Sequence, residues 1–157
     1  MKRFLWFLSV AVFSIFIGSQ ITEGVLLLPY WKSLSAADFY SYYSEFGPSI
    51  GRFYTVLTII AALTPLIISA YCSKNHQSRS LTFALISSLF ALFFVASFYL
   101  YFKGANELFF QVALSEEVLV SELITWGYWH WGRIFIECLS LVFLILSLVN
   151  LQENKNT

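Results

Sequence analysis

His130, Arg133 and Glu137 are spaced i, i+3 and i+7, which lines up an imidazole, a guanidinium and a carboxylate along one stripe of a helix. Set in an apolar stretch, such a stripe suits proton abstraction and oxyanion stabilisation. His130 or Glu137 would serve as the base, and Arg133 as the counter-charge. Gln20 and Glu23, three residues apart, form a second polar face in the first apolar stretch. Arg52 stands at the start of the second stretch, and Asn106 and Glu107 follow the third. A charge at the centre of a bilayer costs about 2.5–3.5 kcal/mol on insertion scales, so these few residues say most about function.

Their depths agree. At 1.5 Å per residue Glu23 lies about 28 Å along a helix starting at Phe4, while His130, Arg133 and Glu137 lie about 6, 10 and 16 Å in from Trp126. All fall in the outer half or at the midplane, and the inner halves are almost purely apolar. One polar pocket open toward the outer face is expected, lined by Gln20, Glu23, Arg52, Asn106, Trp129, His130, Arg133 and Glu137. The competing expectation is a structural or partner-binding network in which Arg133 neutralises Glu137, or Arg52 neutralises Glu23. A metal site is not expected, because bundle di-iron sites repeat Glu-x-x-His on two helices and this chain has no such motif. Cys72 and Cys138 sit at different depths and read as packing residues.

The elements that hold these residues follow from composition. Of 157 residues 59% are hydrophobic and only 11% charged, with a mean hydropathy of +0.73. A soluble domain carries about 25% charged residues. Nine Lys+Arg balance nine Asp+Glu, leaving no basic excess for a nucleic-acid partner. Seventeen Phe, nine Tyr and five Trp exclude disorder. The fold expected is all-α: an integral membrane, antiparallel four-helix bundle forming one domain, residues 1–157. Its spans would be 4–28, 50–71, 81–102 and 126–151, each near the ~20 residues a bilayer requires. Apolar character resumes after Gly18-Ser19-Gln20, so the first stretch reads as a retained helix rather than a cleaved signal peptide.

Residues 73–80 form a short polar turn. The two other connections carry short amphipathic helices that could cover the outer end. Ser35 and Asp38 form a capping-box variant that opens an aromatic segment, 39–46, ended by Gly47-Pro48. A second segment, 106–123, is interrupted or restarted at Ser115-Glu116-Glu117. Pro65 should kink the second span, and Gly18 and Gly24 should allow close helix approach. Lys2, Arg3, Lys74, Arg79 and Lys155 gather on one side, against Lys32, Arg52, Lys103 and Arg133 on the other. The positive-inside rule then puts both termini in the cytoplasm, and the plasma (inner) membrane is the expected location.

The chain resembles the anthrone oxygenase-like family of small four-helix membrane proteins. The resemblance lies in Glu23-Gly24 leading to Leu28-Pro29-Tyr30-Trp31, in Gly104-Ala105-Asn106 after the third span, and in the run from Trp126 to Arg133. Ala105 stands where the family has proline. The resemblance implies a membrane oxygenase that inserts oxygen into an anthrone-type aromatic without a flavin or metal cofactor, with Asn106, His130 and Arg133 as pocket residues. The partners expected are the lipid bilayer and a lipophilic aromatic small molecule. A non-enzymatic membrane interaction subunit and a small transporter are the alternatives, although no inverted duplication marks a transporter.

Overall fold

Four runs of apolar residues call for four long helices, and the computed structural model, which describes residues 2–153, holds four rods long and apolar enough to cross a membrane. The first joins α1 (Lys2–Thr22), a π-helical turn (Glu23–Leu27) and α2 (Leu28–Ser33). The second is a single helix, α3 (Ala36–Lys74). The third joins α4 (Ser78–Ser97), a second π-helical turn (Phe98–Phe102) and α5 (Lys103–Phe110), and the fourth is α6 (Glu116–Glu153). No strand occurs among the described residues. Lys155, expected on the basic side, lies outside them.

The rods start earlier than the apolar runs. α3 has 39 residues and α6 has 38, each about 57 Å long and nearly twice the hydrocarbon thickness. The segment 39–46 is therefore no separate surface helix, because Gly47-Pro48 does not end it. Gly47 instead lets aromatic rings close in. A Cβ there would lie 3.2 Å from the Phe110 ring and 3.2 Å from Tyr43 Cδ1. Packing across this contact outweighs the helix-breaking tendency of Pro48. The start of α3 matches expectation: Ser35 Oγ accepts from the Asp38 amide at 3.2 Å and donates to Asp38 Oδ2 at 2.6 Å. The restart at Ser115 holds as well, with the Leu119 amide donating to Ser115 O at 2.8 Å.

Two helix ends close with the same device. The Gln77 amide donates to Cys72 O and that of His76 to Ser73 O; the Ala113 amide donates to Leu108 O and that of Val112 to Phe109 O. Both are Schellman motifs, which place one residue in the left-handed region. Glycine normally sits there, but here it is His76 and Val112, each at φ 53°. A β-branched side chain is poorly tolerated in that conformation. Val112 is well exposed and its loop is pinned at Leu114, whose N–H and C=O both bond the Tyr40 hydroxyl. Val112→Gly should therefore raise stability by about 1 kcal/mol, seen as a higher unfolding midpoint in detergent micelles. A lower midpoint would mean the valine side chain makes a contact that outweighs its backbone.

Packing divides the molecule into two apolar cores. The lower includes Phe13, Phe16, Ala61, Ile68, Phe94, Leu144 and Leu148. The upper includes Leu28, Trp31, Phe39, Tyr43, Phe102, Phe109 and Trp126. Along each rod the gap between cores falls at the same level: after Ile17, after Tyr43, after Phe94 and after Trp126. Gln20, Glu23, His130, Arg133 and Glu137 occupy that gap, whereas Asn106 lies beyond it, level with the upper core. The lower half is less purely apolar than expected. Ser87 and Ser140 each donate to the other's carbonyl, at 2.8 and 2.9 Å, and Ser147 donates to Ser80 O at 2.8 Å. Seven residues forward along α4 thus match seven back along α6. Serine suits these seams because it is small enough for close approach and bonds across the interface.

Candidate functional site

The site begins with the π-helical turn in the first rod. Its wider i→i+5 bond, from the Leu28 amide to Glu23 O, adds a residue to the turn and rotates α2 relative to α1. Glu23 and Gly24 are both buried there. Gly24 fits against α6 because it has no side chain: a Cβ would lie 2.9 Å from Trp131 Cζ2 and 3.1 Å from His130 Cδ2. Gly18, expected to do the same, has nothing within 4 Å of such an atom, so it provides no close approach.

On the facing side α6 presents its stripe. His130 is fully buried, and its Nε2 lies 2.8 Å from the carbonyl of Gln20. A carbonyl can only accept, so Nε2 carries the hydrogen. Nδ1 is then the lone-pair nitrogen, and it accepts from Arg133 Nη2 at 2.9 Å. The same Nη2 donates to Glu23 Oε2 at 3.2 Å. Glu23 Oε2 is 3.7 Å from His130 Nδ1, which has no hydrogen in this tautomer, so the ion pair belongs to Arg133 and Glu23.

The guanidinium rests on aromatic faces. Arg133 Cζ lies 4.1 Å from the Phe102 ring centroid and 5.6 and 5.7 Å from those of Trp126 and Phe94. Trp126 stacks on His130, centroids 4.8 Å apart and planes at 14°, while its Nε1 donates to Asn106 Oδ1 at 3.3 Å. Asn106 thus acts on the trio through Trp126 rather than lining a pocket. Gln20 and Glu137 are each 1% exposed. Both side-chain heteroatoms of Gln20, Glu137 Oε2 and Arg133 Nε have no hydrogen-bond partner. Buried polar atoms left unpaired call for a ligand, a water or a proton.

Besides Asn106, two further expected residues lie elsewhere or serve differently. Arg52 is exposed, and its guanidinium bonds its own helix at Pro48 O (3.3 Å) and Ser49 Oγ (3.4 Å), so it neither neutralises Glu23 nor joins the cluster. The phase of α3 turns Arg52 out. It brings Tyr54 in, where the hydroxyl donates to Ser19 O at 2.9 Å. Trp129 lines a groove of about 290 Å³ together with Ser97, Tyr128, Gly132, Arg133 and Ile136. The groove does not open at the upper end, where the aromatic core fills the space. It lies on the flank where α4 meets α6. Arg133, with 10% of its side chain exposed, is the one charged lining residue.

Sequence reasoning missed Tyr54, Phe94, Phe102 and Tyr101. Nothing separates these rings from the other aromatics of their runs, because their role depends on helix rotation. Among the described residues no group of three or more His, Cys, Asp and Glu is placed to hold a metal. No family model, curated protein or solved structure matches this chain.

Proposed function

We propose that the chain is an integral protein of the plasma (inner) membrane whose flank groove binds a lipophilic aromatic molecule and oxidises it. The rods would run antiparallel, consistent with the Ser80–Ser147 and Ser87–Ser140 register. Apolar side chains exposed along the rods, such as Phe7, Ile67, Leu89 and Phe135, would face lipid. Both termini would be cytoplasmic, on the side of Lys74 and Arg79, with Asp38, Glu107, Glu116 and Glu117 outside.

One observation carries the binding reading: Arg133, nine-tenths buried, is the one charged residue lining a groove that Tyr128 and Trp129 also line. A volume near 290 Å³ is at the small end for ligand sites and suits one flat molecule arriving from the lipid. In the oxidation Glu137, which is buried and not among the lining residues, would have to move toward the ligand to take the proton of an activated methylene, because both nitrogens of His130 are already engaged. Arg133 holds the resulting enolate oxygen. The carbanion forms a C–O bond with O₂. Loss of the second hydrogen with O–O cleavage then leaves a carbonyl and one water.

Anthrone serves as the probe, since its methylene would become the second carbonyl of anthraquinone. Gly132→Leu is the decisive variant, because nothing lies within 4 Å of a Cβ at this position and the side chain would fill the groove. In lipid nanodiscs the wild type should bind anthrone saturably and consume O₂. The variant should unfold at the same temperature but bind at least about tenfold more weakly, a loss of roughly 1.4 kcal/mol. Equal binding by the two would remove the groove as the site. A second reading, a purely structural network, is favoured by the closure of Arg133 Nη2 on Glu23 and His130. It predicts no anthrone binding by either protein.

A further inference from the structure

The groove's aromatic wall has a support of its own. Trp129 is half exposed on α6, yet Tyr101 stacks on it with ring centroids 5.1 Å apart and planes only 4° from parallel. The Tyr101 hydroxyl donates to Glu122 Oε1 at 2.6 Å. Glu122 and Trp129 are seven residues apart, on one face of α6. Tyr101 therefore lies along that face, fixed to α6 at its hydroxyl and against Trp129 at its ring.

The second π-helical turn places it there. The i→i+5 bond from the Lys103 amide to Phe98 O rephases the rod. Tyr99 and Leu100 then point outward, Phe102 goes inward beneath Arg133, and Tyr101 meets α6. One turn thus supplies both the cushion under the groove's cation and the brace behind its wall.

We propose that Tyr101, held by Glu122, is a positioning residue that fixes Trp129 as the rigid wall of the groove and so sets its affinity for a flat ligand. This rests on the reading that the groove binds an aromatic molecule, but its first test does not. Protein labelled with 5-fluorotryptophan gives a fluorine resonance for Trp129, assigned by its loss in Trp129→Phe. Tyr101→Phe keeps the ring and removes the anchor, and should broaden or shift that resonance. Tyr101→Leu removes the stack and should do so further. Glu122→Gln, whose amide oxygen still accepts from the hydroxyl, should stay close to wild type, whereas Glu122→Ala should resemble Tyr101→Phe.

Anthrone affinity should follow the same order, falling about five- to tenfold in Tyr101→Phe, the range set by one lost hydrogen bond. An unchanged Trp129 resonance in Tyr101→Phe and Tyr101→Leu overturns the proposal, as does Glu122→Gln behaving like Glu122→Ala. If the resonance responds but wild type binds no anthrone, the brace stands and the aromatic-ligand reading fails. If wild type binds and the variants bind equally well, the groove reading stands and the brace sets no affinity.

Discussion

Arg133→Met should lower the unfolding free energy by about 3–5 kcal/mol, and adding Glu23→Gln to the same chain should restore most of the loss. The single variant removes the cation bonded to Glu23 and strands a carboxylate that is 2% exposed. Desolvation is already complete there, so the lost attraction has no water to replace it. In the double variant no net charge remains at that contact, and methionine fills the space over Phe102 with apolar atoms. About 1–2 kcal/mol should stay missing, because His130 Nδ1 loses its donor. Unfolding of the four proteins of this cycle in one detergent gives the coupling directly. Additive effects would show that Arg133 and Glu23 do not act as a buried pair. The double variant has a second use: folded but without its groove cation, it should no longer bind anthrone. A buried pair is seldom more stable than a well-packed apolar one, so stability alone does not account for the polar layer.

Gly24→Ala should cost about 1–3 kcal/mol, the usual range for overpacking a tight contact. The added methyl meets Trp131 Cζ2 at 2.9 Å and His130 at 3.1 and 3.2 Å. Trp131 is partly exposed and can swing, but His130 is held by Gln20 O on one nitrogen and Arg133 on the other. The strain thus falls on the trio, and anthrone binding should weaken along with stability. Two other glycines act as internal controls. Gly18→Ala meets nothing within 4 Å and should be neutral or gain up to about 1 kcal/mol in helix propensity. Gly127→Ala meets Leu28 Cδ2 at 2.8 Å, but that methyl can rotate away, so a small loss is expected. Equal midpoints for all three variants would show that His130 yields freely and is not locked.

Local chemistry made much of this readable beforehand. Four rods, the cap at Ser35, the restart at Ser115 and the stripe of His130, Arg133 and Glu137 depend on apolar runs, short side-chain-to-backbone bonds and the 3.6-residue period. The upper ends of α3 and α6 were misjudged for an equally physical reason. Gly47-Pro48 is a breaker by local preference, and Glu116, Glu117 and Glu122 look like surface residues. Both stretches nevertheless continue a rod, because Phe39, Tyr43, Phe109 and Trp126 pack into a core above the polar layer.

The sequence by itself determined the number and apolar character of the rods, the set of polar residues within them and the level at which most of them sit. Those properties reside in composition and in the order of residues along single helices. Tertiary structure alone decided the partnerships. It chose Arg133 over Arg52 for Glu23, assigned the His130 hydrogen to Nε2, placed Phe102 beneath the guanidinium and opened the groove on the flank instead of the upper end. Each choice depends on how helices far apart in the chain are rotated against one another. Two π-helical turns reset that rotation, and no local pattern in the chain encodes their phase.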